Sequence, residues 1–225
     1  MKPLVIDSIS PLGQAGRLGL REGDVVIAKD FEIIADDEQT FTLSLFAADS
    51  ILTIGRGDKL FDVMIKKGLA LSLSSARIDS NIENLVKIFE DREDIPDTNK
   101  ITNFNILTFL DDFIAIKTSK ILFPAIFPPA WLLIEGLSLQ SLAIVGLYAL
   151  SFLVHTYVFL IVFIITCIYF YRNQTDTLLT DKYLKGCQPV IVIAAENEIS
   201  ALEKARSLFP RKEKNAENIE SNLVS

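Results

Sequence analysis

Histidine and cysteine are scarce in this sequence, and their scarcity excludes several kinds of active site. His155 is the single histidine. The only two cysteines, Cys167 and Cys187, are not clustered with it in the sequence. A His-Glu-x-x-His zinc protease needs two histidines, and a structural zinc site needs four closely spaced ligands. A serine protease triad would depend on His155, and no nucleophile-elbow motif is present. We therefore expect no metal site, no disulfide framework and no protease chemistry.

Motifs for nucleotides and nucleic acids are also absent. The sequence has no P-loop and no dinucleotide-type glycine motif. Its 22 Lys and Arg residues are outnumbered by 29 Asp and Glu residues, which gives a net charge of -7 and leaves no basic stripe with interleaved aromatics. We expect no cofactor, no nucleic-acid partner and no enzymatic activity.

Apolar residues are abundant but are concentrated in one segment. Half of all residues are hydrophobic and the mean hydropathy is +0.35. The excess lies in residues 121–171, which is typical of a membrane protein with soluble flanks. We predict a domain at 1–75, a linker with amphipathic helices at 76–120, a membrane region at 121–172, a strand–helix unit at 173–210 and a disordered tail at 211–225.

The first 75 residues have the pattern of a small β-rich α+β domain. Strand candidates occupy residues 4–6, 25–27, 51–56 and 60–65, and a helix candidate occupies residues 38–48. Gly57 and Asp58 supply a turn signal between the last two strands, which predicts a β-hairpin.

Residues 11–26 resemble the central motif of a PDZ domain, in the bacterial form found beside trypsin-like and site-2 proteases. The residues that carry the resemblance are Gly13, Ala15, Gly19, Leu20, Gly23 and Asp24. A small Ala15 lets a short helix approach the sheet, and Gly19 suits a helix end with positive φ. Gly23 and Asp24 suit a tight turn into the next strand. The alternative is a chance glycine-rich turn region.

Residues 67–73 resemble the carboxylate-binding loop of the same family, displaced to the end of the domain. The resemblance implies a circularly permuted domain that binds a protein or peptide partner, such as an exposed C-terminus, beside strand 71–73. The implied peptide-binding residues are Gly68, Leu69, Ala70, Leu71 and Leu73, with Phe41 and Leu45 as the opposite wall. The alternative is a plain edge strand that leads into the linker.

Two helices are predicted in the linker. Residues 84–90 place Leu85, Ile88 and Phe89 on one face, and residues 104–116 have amphipathic spacing suited to a membrane surface or to packing on the first domain. The Asp111-Asp112 pair is interpreted as part of a solvated helix face.

The apolar region predicts a helical membrane hairpin. Three prolines interrupt residues 121–134, so we expect a re-entrant or interfacial segment with Trp131 at headgroup depth. Residues 137–154 and 157–171 then form two short spans with a turn at His155. Two or three crossings remain open.

Basic residues flank the apolar region on both sides. Lys117 and Lys120 precede it, and Arg172, Lys182 and Lys185 follow it, so both flanks are expected on the cytoplasmic side. Residues 1–3 lead directly into a strand-like run and show no signal peptide. We therefore expect a multi-pass protein of a bacterial inner membrane with cytoplasmic soluble parts.

Residues 121–209 also resemble a family of uncharacterised small bacterial inner-membrane proteins. The resemblance begins at the Phe-Pro-Pro-Ala-Trp-Leu-Leu stretch of residues 127–133 and ends in a strand at 189–194 and a helix at 198–209. It implies no activity, and the strand is expected either to join another sheet or to pack on its helix.

Three hypotheses follow from the sequence. The chain is a membrane-anchored peptide-binding module, a non-catalytic regulatory subunit of a membrane protease or secretion assembly, or a structural membrane protein with a degenerate PDZ fold. The sequence leaves a homo-oligomer open under each of them.

Overall fold

The structure, a computed structural model, describes residues 2–10, 13–69, 71–92, 97–98, 100–110 and 112–210. The first part of the motif at residues 11 and 12, the loop residue Ala70, the first member of the Asp111-Asp112 pair and the tail at 211–225 lie outside the described residues. The described chain is a mixture of helices and two antiparallel sheets, in agreement with the predicted α+β class.

The N-terminal sheet is antiparallel and has the strand order β5-β4-β2-β1-β6, with β3 paired to β2. Its elements are β1 (Leu4–Ser8), α1 (Gln14–Arg17), β2 (Val25–Lys29), β3 (Glu32–Ile33), α2 (Glu38–Ala47), β4 (Ser50–Arg56), β5 (Lys59–Ile65) and β6 (Ser72–Ser75). The predicted hairpin is confirmed, because β4 pairs with β5 from Ser50 opposite Ile65 to Arg56 opposite Lys59.

The C-terminal sheet has the order β8-β7-β9 and follows a linking helix. The remaining elements are α3 (Ser80–Glu90), β7 (Thr102–Phe109), β8 (Asp112–Lys117), α4 (Phe123–Ile126), α5 (Pro128–Ile134), α6 (Ser138–Val154), α7 (Thr156–Leu184), β9 (Gln188–Ala195) and α8 (Glu198–Leu208). The predicted helices at 84–90 and 198–209 are present as α3 and α8.

The predicted amphipathic helix at 104–116 is wrong, since this segment is the β7–β8 hairpin. Phe104 and Ile106 are buried in the core and alternate with polar residues. This two-residue period is that of a strand. The apolar residues that suggested a helix lie around the turn, where Leu110 has a positive φ of 48° and is exposed.

The C-terminal strand is not part of a separate unit at 173–210. It pairs antiparallel with β7, from Thr102 opposite Ala195 to Thr108 opposite Gln188. The segment before it continues the long helix α7, which passes the predicted boundary at residue 172 with non-helical backbone angles only at Asn173. Residues 102–117 and 188–208 therefore form one sheet with a helix on it.

The two sheets share one hydrophobic core. Apolar side chains of β4 and β5, such as Ile54, Phe61 and Val63, belong to the same buried cluster as Ile193 of β9 and Ala201 of α8. Asn103 extends the contact with polar bonds, because its side-chain amide accepts from the Met64 amide at 2.9 Å and donates to the Met64 carbonyl at 2.7 Å. These two hydrogen bonds satisfy the backbone amide and carbonyl of Met64 at the edge of the sheet, as pairing with another strand would.

A buried carboxylate stabilises the junction between the two sheets. Asp62 of β5 is 1% exposed and pairs with Arg92, after α3, and with Lys204 of α8, each at 3.0 Å. Thr53 donates a further hydrogen bond to it at 2.9 Å. Burial raises the pKa of Asp62, but the charges of Lys204 and Arg92 outweigh it and hold the pKa below its ordinary value.

Helix α6 ends and helix α7 begins beside His155, and the two helices pack against each other. His155 caps α7 by accepting the Tyr157 amide at 3.2 Å. Tyr148 of α6 lies 2.5 Å from the Thr166 hydroxyl of α7, and its ring meets Phe159 edge-on. Trp131 is 2% exposed and packs on Phe170, so it contacts protein instead of facing headgroups.

Much of the apolar surface of these two helices has no protein cover. Exposed side chains include Leu142, Leu150 and Leu153 on α6 and Ile161, Ile164, Ile165 and Ile168 on α7. Helix α7 is long and apolar enough to span a membrane, whereas α6 is apolar but shorter. At 1.5 Å per residue, the 17 residues of α6 cover about 25 Å.

We expect Asp62→Asn to lower the free energy of unfolding at pH 7 by about 1–3 kcal/mol, because it removes charged hydrogen bonds that span the junction. The measurement is urea unfolding of the whole chain in detergent micelles, followed by circular dichroism. Since the folded-state pKa of Asp62 is depressed, its contribution exists above the unfolded-state pKa of about 3.9 and is lost as the pH falls through the folded-state pKa. The difference between wild type and variant should therefore shrink in acid.

Asp58→Asn is the matched control, since Asp58 is exposed in the β4–β5 turn. Equal destabilisation by both variants, or a difference that persists below the folded-state pKa, would contradict the proposed role of Asp62.

Candidate functional site

A groove lies between the edge strand β6 and helix α2. Among the described strands β6 ends the N-terminal sheet, and it pairs only with β1. The groove has a volume of about 820 Å³. Its lining comprises Ser8 and Ser10 at one end, Glu38, Gln39, Thr42 and Leu43 on the helix, and Leu71, Ser72 and Leu73 on the strand side.

The two walls of the groove differ in polarity. Leu71 and Leu73 point toward the core and are nearly buried, so they form an apolar floor beside the strand backbone. The helix wall is mostly polar, except for Leu43, which is 70% exposed. An extended chain placed here would meet backbone groups of β6 on one side and side chains of α2 on the other.

Helix α2 is fixed to the domain at both ends. Its first turn is capped by Asp37, which accepts the Thr40 amide at 3.3 Å, and hydrogen bonding by Thr40 lowers the pKa of the Asp37 carboxyl. Farther along, Lys29 of β2 donates to the Ser44 hydroxyl at 2.9 Å. Phe41 and Leu45 hold the helix on the sheet from below.

The sequence-predicted wall residues Phe41 and Leu45 are buried in the core and do not line the groove. They lie at i and i+4, so they share the helix face that covers the sheet. The wall is formed by the adjacent face with Gln39, Thr42 and Leu43. Their neighbour Ser8, at the end of β1, was also missed, because only the pairing of Ser8 with Ser72 brings it there.

The loop that precedes β6 is held by hydrogen bonds at its entrance. In the amide orientation that satisfies both groups, Gln14 accepts the Lys66 amide at 2.6 Å and donates to the Lys66 carbonyl at 3.1 Å. Asp49 accepts the Lys67 amide at 2.8 Å, and the Leu45 carbonyl accepts the Gly68 amide at 3.1 Å. The loop is thus fixed to α1 and to the C-terminal end of α2.

The described loop residues Gly68, Leu69 and Leu71 precede β6. Gly68 has a φ of 84°, a conformation that favours glycine, with open space around its α-carbon. Leu69 is fully buried and anchors the loop in the core. Within the described part of the chain, the backbone amides of Leu69 and Leu71 donate no hydrogen bond. Leu71 lines the groove, whereas Leu69 does not.

The residues of the glycine-rich motif lie in and after the short helix α1. Ala15 and Leu20 are buried, and Gly19 and Gly23 have φ values of 73° and 86°. Asp24 accepts the Arg21 amide at 2.8 Å and pairs with Arg56 at 2.6 Å. The Asp24 carboxylate therefore stabilises the turn before β2 and links it to Arg56 in the β4–β5 hairpin.

The linking helix α3 leaves the groove open. Its Ile82, Leu85 and Val86 pack on Val25 and Ile27 of β2. The alternate residue Val26 belongs to the main core on the other face of the same strand. Helix α3 thus covers the face of the sheet opposite to α2.

Comparison with known proteins assigns no family. No family model matches the chain, and neither a curated protein nor a solved structure matches it. No cluster of three or more histidine, cysteine or acidic side chains suited to a metal occurs within the described ranges.

Proposed function

We propose that this chain is a membrane-anchored, PDZ-like binding module that takes up an extended peptide end between β6 and α2. The observation that carries the proposal is an edge strand that lies beside a helix, with a fixed loop at the end where the strand begins. This is the arrangement in which a peptide is bound by strand addition.

The free edge of β6 supports the proposal. Exposed strand edges present unpaired amide and carbonyl groups, and proteins usually cover or charge them. The opposite edge of the same sheet, β5, is covered by Asn103 and by β9. The β6 edge instead borders a groove whose lining includes one serine and two leucines on the strand side.

The loop at residues 68–71 supports a ligand that ends in a carboxylate. Leu71 lines the groove. The Lys67 and Gly68 amides donate to the Asp49 carboxylate and the Leu45 carbonyl, and these bonds hold the start of the loop before any ligand arrives. Backbone amides in such a turn can bind an anion without the cost of ordering the loop.

The uncovered apolar surface of α6 and α7 supports the membrane part. These helices would enter the bilayer as a hairpin with His155 at its tip, and the basic residues at its base, Lys120 and Arg172 among them, would hold the soluble sheets on the cytoplasmic side. The short length of α6 favours a thinned bilayer or a tilted α7.

The open groove favours a binding role over a degenerate fold, because α3 packs on the opposite face of the sheet. A regulatory subunit of a membrane protease or secretion assembly would use the same groove, so the identity of the captured peptide separates these two functions.

Replacing Leu43 with glutamate should weaken peptide binding at least about tenfold, or about 1.4 kcal/mol. The change removes the apolar contact on the helix wall and adds a charge that repels a carboxylate. The measurement is fluorescence anisotropy of the purified full chain in detergent, with the tightest peptide selected from a library of short peptides that have free C-termini.

Ile199→Glu is the matched control, because Ile199 is a helical residue on α8 with the same 70% exposure as Leu43. It should leave the affinity unchanged, and amidation of the peptide terminus should reduce the affinity. Equal loss in both variants, or equal binding of the amidated peptide, would contradict capture of a C-terminus in this groove.

The hairpin is tested with single cysteines in a Cys167→Ala, Cys187→Ala background. We expect a membrane-impermeant maleimide to label His155→Cys in intact spheroplasts. Glu83→Cys and Glu203→Cys, which are exposed on α3 and α8, should be labelled only after permeabilisation. Labelling of His155→Cys only after permeabilisation would show that the helices do not cross the membrane.

A further inference from the structure

A second cavity lies at the base of the two long helices. It has a volume of about 330 Å³ and is formed where the segment before α4 meets α7. Lys120, Ala125, Cys167, Ile168, Tyr171 and Arg172 line it. Its floor is apolar, and its two charged residues are both cations.

Neither cation has a described partner of opposite charge. Lys120 and Arg172 form no ion pair within the described residues. Lys120 is held by the ring of Tyr171, with its ammonium nitrogen 5.6 Å from the ring centre. Two unpaired cations beside one cavity favour an anion with several acceptor oxygens, and a phosphate is such an anion.

The position of the cavity along α7 indicates the rest of the ligand. Arg172 is the first charged residue after the apolar run at 137–171. On the apolar side, Ile168 lines the cavity, and Ile164 and Ile165 in the preceding turn are more than half exposed. A ligand with a phosphate between the cations and a hydrocarbon chain along these isoleucines would match both surfaces.

We infer that this cavity binds an anionic phospholipid, with its phosphate between Lys120 and Arg172 and an acyl chain along the exposed face of α7. The inference rests on the proposed membrane insertion of α6 and α7, and it adds a defined lipid site to it. Basic pockets between membrane helices on the cytoplasmic side commonly bind acidic headgroups.

The test is thermal unfolding of the full chain in nanodiscs of phosphatidylcholine alone and in nanodiscs that also contain phosphatidylglycerol. Phosphatidylglycerol should raise the Tm of the wild type by about 2–4 °C. Lys120→Gln combined with Arg172→Gln should abolish this increase. The control pair Lys182→Gln and Lys185→Gln removes the same formal charge at the C-terminal end of α7, outside this cavity, and it should keep the increase.

Three outcomes overturn the inference in distinguishable ways. An equal loss in both double variants indicates general attraction of cations to the surface, without a site. An equal increase from soluble glycerol phosphate added to phosphatidylcholine nanodiscs indicates a phosphate site that does not need a lipid. Failure of the wild type to enter nanodiscs of either composition removes the membrane proposal itself.

Discussion

The hydrophobic core shared by the two sheets is the constraint on which the rest of the structure depends. Ile54, Phe61 and Val63 of the N-terminal sheet are buried in the same cluster as Ile193 of the C-terminal sheet. The buried carboxylate of Asp62 pairs with Lys204 across this junction. Because protein interiors are close-packed and transmit strain, such a junction opposes independent motion of the two sheets.

The shared core also decides which edge of the N-terminal sheet remains open. The C-terminal sheet covers β5, where Asn103 bonds to both backbone groups of Met64. The opposite edge, β6, borders the groove with α2. The C-terminal sheet is also joined through β9 to α7, which we propose to lie in the bilayer.

Local sequence signals predicted the elements whose contacts are close in the chain. The turn at Gly57 and Asp58 set the β4–β5 hairpin, and the backbone conformation of Gly19 and Gly23 follows from their places in the motif. The helix predicted at 104–116 failed because a turn inside the segment put apolar residues from two strands at helical spacing. A single-sequence pattern cannot separate these two cases.

Contacts between distant residues could not be predicted. The β7–β9 pairing joins segments about eighty residues apart, and the bond between Asp62 and Lys204 spans 142 positions. The residues of the helix wall were predicted wrongly. Phe41 and Leu45 were assigned to the wall because they are apolar, but they are apolar because they face the core. The side chains that do line the helix side are polar except for Leu43, and they give no periodic signal.

Hydrogen exchange of the full chain, with and without a bound peptide, tests the central claim that β6 accepts an added strand. Strand addition pairs the free backbone groups of β6, so peptide binding should slow amide exchange within residues 71–75 and leave β5 unchanged. Unchanged exchange at residues 71–75 in the presence of saturating peptide would contradict the account.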